Sequence, residues 1–182
     1  MISSKFDPFN DRLSRDIRND LSKAFAEALA KRTMAPAEAV AAGYRASGIA
    51  QGYEAYISDR LLRYRESFRT ISDHNTKDAF TQALVLWDIG LFFEVHEILE
   101  HAWLKAQGAK KTILQAMIRA AGFYIKNEYG YKESAAKMAA RAVDALEKNR
   151  QAVPAGFDLD LLLSKLKTLD PIPPKLSSPS RN

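Results

Sequence analysis

Apolar residues recur along this chain every three or four positions, interrupted by Gly, Pro and short polar clusters, and never in sustained alternation. That spacing predicts amphipathic helices; strands would need a period of two. After Asp7-Pro8, Leu13, Ile17, Leu21, Phe25 and Leu29 repeat every four residues, which predicts a helix ending near Thr33. Pro36 suits the first turn of a short helix through Ala46, stopped by Ser47-Gly48. A third helix carries Tyr53, Ile57, Leu61, Tyr64 and Phe68 inward, and Ser72-Asp73-His74-Asn75 reads as a linker. Four more substantial helices are expected over Lys77–Ile89, Phe92–Ala106, Lys110–Glu128 and Lys132–Arg150, with Gly90, Gly108 and Gly130 at the junctions. Val153-Pro154-Ala155-Gly156 stops the last of these, and a short helix follows over Leu161–Leu166. The Pro/Ser-rich tail from Pro171 to Asn182 is expected to be loose or laid on the surface.

The expected fold is all-α: a compact multi-helix bundle built around two α-hairpins, with an N-terminal helical extension. The expected domains are an extension over 1–74, a core of helical hairpins over 75–150, and a short helix with its tail over 151–182. Gly90 and Gly130 each follow a long apolar helix and precede another, a weak internal repeat. It has a tetratricopeptide-like grammar, but the spacing is 40 residues (130 − 90) rather than about 34, and there are only two copies.

The chemistry concentrates in Gly90-Leu-Phe-Phe-Glu94-Val-His96-Glu97-Ile-Leu-Glu100-His101-Ala-Trp103. At about 100° per residue, apolar side chains occupy most of this helix's circumference, which predicts a central helix covered on several sides. Two polar stripes break the apolar surface. His96 and Glu100 lie between Trp103 and Phe93 and are expected to be desolvated. Glu94, Glu97 and His101 form the second stripe. Trp103 is expected to be largely buried with its indole N–H bonded. Ionisable groups in such surroundings must be paired, hydrogen-bonded or metal-bound.

Three chemistries fit these residues. In a structural network, Arg119 and Gln115 on the following helix serve Glu97 and Glu100, and Gly122 lets the two helices approach closely. In a metal site, Glu97 and His101 share a divalent ion with Glu94 near, and His74 is brought in from the linker. In acid–base catalysis of a hydrolase-like kind, Glu97 works with His101, or Glu100 with His96. Neither His has an acid three residues before it, as di-iron bundles require, and Glu100 stands where the zinc-protease helix motif needs its second His. The residues best placed to hold a ligand are Glu94, Glu97, Gln115, Arg119 and Tyr124; Tyr124 with Tyr129 and Tyr131 would line a groove for a peptide or partner. The first of these chemistries is the preferred reading, a non-catalytic binding or scaffolding domain around a buried Glu/His/Arg network; the metal site and the enzyme are the alternatives. No cofactor beyond a divalent metal is suggested.

Composition removes several classes. Among 182 residues there is no cysteine, which excludes thiol catalysis, disulfides and Cys-based zinc sites. Hydrophobic content of 47% supports a sizeable core, no run approaches a membrane span, and a cytoplasmic location is expected. The net charge of +5 is thinly spread; its densest cluster, Arg60, Arg63, Arg65 and Arg69, reads as a solvated helix face rather than a nucleic-acid surface. A protein partner, a small molecule and a second copy of the chain stay open as partners.

Gly90, Phe93-Glu94, His96-Glu97, Leu99-Glu100 and Trp103, followed by Gln115, Ile118, Ala121 and Tyr124, resemble the signature of the domain of unknown function number 309 family. The resemblance covers about Asp78 to Leu146 and is most specific in its first part. The second part departs from the pattern: Ala116 stands where Gly is usual, Arg119 where a second Gln is usual, Ile125 where His is usual, and Tyr131 where Asn follows the Gly. The resemblance implies an all-helical fold and no established activity.

Overall fold

Local signals place the helix ends. The structure, a computed structural model, describes residues 5–177; the last tail residues, 178–182, lie outside the described residues. It is all-α, with eight α-helices and no strand among the described residues: α1 (Arg12–Lys31), α2 (Ala35–Ala46), α3 (Gln51–Asp73), α4 (Ala79–Asp88), α5 (Phe92–Lys105), α6 (Gly108–Glu128), α7 (Lys132–Lys148) and α8 (Leu159–Lys167). Asp11, Asp78 and Asp158 cap α1, α4 and α8, each carboxylate accepting from the amide three residues on. The chain divides into two compact units, Met1–Asn75 and Thr76–Asn182.

In the first unit α1 packs on α2 and α3. Ile17, Leu21 and Phe25 are buried, with Phe25 stacked on Tyr64 at 4.2 Å between ring centroids. The N-terminal arm is fastened through Asp11, whose carboxylate accepts from the Ser14 hydroxyl (2.6 Å) and the Tyr53 hydroxyl (3.0 Å). These bonds, the one from Ser14 foremost, hold Asp11 below the usual carboxylate range.

The second unit is a helical bundle built on two hairpins, α4–α5 and α6–α7, and the two turns are the same object. Gly90 (φ +80°) and Gly130 (φ +83°) adopt the left-handed conformation that L side chains avoid. Gly90 N–H donates to the Trp87 carbonyl and Leu91 N–H to that of Leu86; Gly130 and Tyr131 repeat this on Asn127 and Lys126. That is a Schellman closure, and Leu91 or Tyr131 then starts the next helix directly. The repeat seen in the sequence is thus a repeat of turn geometry.

The expectation that α5 lies at the centre is corrected. The central helix is α6, which packs on α5 and on α7 and buries nine residues, including Ala116, Ala120, Ala121 and Gly122. Only Glu94, Val95 and Leu99 of α5 are buried, and Leu104 is 64% exposed. An apolar circumference signalled coverage that α5 does not have, because α4 and α6 leave one of its faces to solvent.

The tail is also corrected. It is anchored rather than loose: Pro174 and Leu176 are buried, the latter fully. No helix among the described residues is long and apolar enough to cross a membrane.

The glycines give a test of opposite signs. Gly43 lies inside α2 with open space where a Cβ would go, so Gly43→Ala should stabilise by about 0.5–1 kcal/mol. Gly130 also has open space, but its positive φ should make Gly130→Ala cost about 1–2 kcal/mol. Urea denaturation of both variants checks the contrast.

Candidate functional site

The Gly90 turn aims α5, and the first residues of α5 join an aromatic core. Phe92 meets Trp87 edge-on (5.1 Å) and stacks near-parallel on Tyr124 of α6 (5.0 Å). With that side committed inward, the polar residues one and two turns later are distributed around the rest of the helix. Glu94 is the carboxylate that is buried, and it is engaged within the protein.

His96, Glu97 and Glu100 meet on the solvent side. His96 Nδ1 lies 3.3 Å from Glu97 Oε1 and 3.9 Å from Glu100 Oε2, with the three side chains 31%, 48% and 51% exposed. One ligand atom from each falls within 4.8 Å of the others. The imidazole also stacks over Phe93, with 6.4 Å between centroids and 3° between planes. His101 is exposed and is not part of this triplet. The other His, His74, ends α3 in the first unit, its Nδ1 2.7 Å from the Thr70 carbonyl. The structure brings His96 together with Glu97 and Glu100, and the expected desolvation of Glu100 is corrected to half-exposure.

The α6 partners expected for Glu97 and Glu100 are not formed. Among the described residues no hydrogen bond or ion pair joins Gln115 or Arg119 to Glu97 or Glu100. The reason lies in the direction of the α6 stripe. A Cβ on Gly122 would meet the Met138 sulfur of α7 at 2.8 Å, and Lys126 sits over the ring of Tyr131, where α7 begins (4.9 Å). Gln115, Arg119, Gly122 and Lys126 share one face, so that face is turned towards α7 rather than α5.

Trp103 departs from expectation too. It is half-buried, its Nε1 is buried without a protein partner, and Lys111 Nζ lies 4.5 Å from its ring centroid. A cation over an indole face is an attractive contact, but it leaves the N–H unserved. Tyr124 is core, in contact with Trp87 (5.4 Å) and Phe123 (4.7 Å). Its hydroxyl has no protein partner, and burial foremost, then the charge of Asp170, pushes its ionisation well above the usual tyrosine range.

Trp87 and Asp88, which no motif flagged, anchor the C-terminal tail. Their partners lie 87 to 89 positions away in the chain, beyond the reach of any local pattern.

Fold and site together define an all-α double-hairpin domain that carries a His/Glu/Glu triplet on an exposed helix face. Residues 80–138 match the family model described as Domain of unknown function (DUF309), in agreement with the resemblance read from the sequence. No curated protein and no solved structure matches the chain.

Without partners on α5, Arg119 should be dispensable for stability: Arg119→Met should change the unfolding free energy by no more than about 0.5 kcal/mol. Trp103→Phe should cost less than about 1 kcal/mol, because removing an unserved buried N–H offsets part of the lost ring area. Thermal and urea denaturation measure both.

Proposed function

We propose that this chain is a binding domain rather than a catalyst, and that the solvent face of α5 takes a divalent cation through His96, Glu97 and Glu100. The observation that carries this reading is the approach of one imidazole nitrogen to two carboxylates on a single helix, at 3.3 and 3.9 Å. One imidazole with two carboxylates suits zinc, manganese or ferrous iron. Coordination at about 2.0–2.2 Å asks the three ligand atoms to draw in, which side-chain rotation alone supplies. Their exposure leaves the remaining positions to water or to a group from a partner, so a scaffolding role is compatible with the same site.

The alternatives are weaker on physical grounds. A structural network at Glu97 and Glu100 needs donors from α6, and among the described residues their partner is His96 of their own helix. An exposed ion pair contributes only about 0–1 kcal/mol, too little to organise a bundle. An acid–base pair of Glu97 and His101 needs a substrate held within hydrogen-bond reach in a site that excludes water. Glu97 is 48% exposed on a helix surface.

Metal-stripped protein should show a rise in melting temperature on adding zinc or manganese, worth about 2.7 kcal/mol at a hundredfold excess over Kd. Calorimetric titration should find one site per chain. His96→Ala and Glu100→Gln should abolish both signals, while His101→Ala keeps them. If no divalent ion shifts the melting temperature, the proposal fails; if His101→Ala abolishes binding and His96→Ala does not, the site is the Glu97/His101 pair instead.

A further inference from the structure

The second unit holds a segment of its own chain in the manner of a bound peptide. Residues 174–177 run extended between the end of α4 and the Phe157–Asp158 segment. The Trp87 indole N–H donates to the Pro174 carbonyl at 2.9 Å. The two oxygens of Asp88 accept from consecutive amides, Leu176 N–H (2.7 Å) and Ser177 N–H (3.0 Å). On the other flank Asp158 N–H donates to the Leu176 carbonyl (3.3 Å), and Ser177 forms an antiparallel bridge with Phe157. Four backbone groups are thus read from two sides, as in strand addition. Between them the Leu176 side chain is fully buried. Lys175 Nζ donates to the Asp88 carbonyl, where the carboxylate and the carbonyl end of α4 make the surroundings negative.

These contacts recognise an extended backbone, one leucine and one cation. None of them depends on the covalent link through Pro171, which supplies only effective concentration. The tail leaves one group unserved: Tyr124 is in ring contact with Trp87, within electrostatic reach of Asp170 at the base of the strap, and its buried hydroxyl has no protein partner.

We propose that the groove between the end of α4 and Phe157–Asp158 is a peptide-recognition site, closed in the free protein by Pro171–Ser177, which accepts in trans an extended Pro-Lys-Leu segment of a partner protein. Charge complementarity sets the choice of partner: Asp88 and the α4 carbonyl end select a basic residue just before the buried leucine. The strap opens locally while the helices stay folded, and the incoming segment takes over its backbone contacts. This inference concerns a different surface from α5 and does not rest on cation binding.

The natural absence of cysteine makes the test clean. Leu176→Cys in the full chain places a single thiol at the buried strap position. Its reaction with a thiol reagent should be slow alone and should rise with added synthetic Pro171–Ser177 peptide as 1 + [peptide]/Kd, reaching about tenfold at nine times Kd. Circular dichroism should not change. The same peptide carrying Glu for Lys175 and Asp for Leu176 should have no effect. Hydrogen exchange at the Leu176 and Ser177 amides reads the same opening in the unmodified chain, so the proposal stays testable if the variant folds poorly. Labelling or exchange that tracks global unfolding and ignores the peptide overturns the proposal, as does equal acceleration by both peptides.

Discussion

The close approach of α6 and α7 is the constraint on which the second unit depends. Ala116, Ala120, Ala121 and Gly122 are buried on α6, and Ala135, Ala139 and Ala142 are buried on α7. Small side chains let two backbones come near, and Gly122 has Met138 where a Cβ would stand. Once that face of α6 is committed to α7, its polar stripe cannot also serve α5. The remaining apolar face, including Phe123 and Tyr124, receives α4 and α5 through Trp87 and Phe92. The acids of α5 beyond Glu94 then have no helix to pair with and open to water. The site is a consequence of where the alanines are.

What could be read from residues divides along a physical line. Helix ends were legible because their signals are local: Asp78 caps with its own carboxylate, and Gly90 and Gly130 take a φ that other residues avoid. The family signature was legible for the same reason, being concentrated between Gly90 and Trp103. Which neighbour a helix face meets is not a local property. Arg119 and Glu100 have the right chemistry to pair, but only packing decides that the Arg119 stripe turns towards α7. Periodicity also overstated the burial of α5, since Leu104 and Ile98 differ in exposure while contributing equally to an apolar pattern. The tail was least legible of all, because Trp87 and Pro174 carry no mark of each other.

Two buried donors without protein partners, the Trp103 indole and the Tyr124 hydroxyl, sit in unlike settings. An unserved buried donor costs about 1–3 kcal/mol. Lys111 over the Trp103 ring offsets part of that cost by a contact that does not use the N–H. Tyr124 has aromatic neighbours instead, and edge-to-face packing with Trp87 and Phe123 contributes about 0.5–1.5 kcal/mol per pair beyond area burial. The ring therefore stabilises the core in contact with Trp87, the residue that holds the strap, while its hydroxyl has no protein partner.

The strap groove rests on the Trp87–Phe92–Tyr124 cluster, and the helix that carries the triplet enters this cluster through Phe92; shared packing by itself transmits nothing. A ligand shifts an equilibrium only by its difference in affinity between two states. For the groove those states are strap closed and strap open, and the groups that distinguish them are the Trp87 indole N–H and the Asp88 carboxylate. For the triplet the corresponding difference is the rotation of three exposed side chains, which leaves the α5 backbone and Phe92 where they are. Exposed rotamers relax without moving a close-packed interior. Opening of the strap and rotation of the triplet side chains should therefore be independent, and Phe92 is the α5 residue in ring contact with both Trp87 and Tyr124.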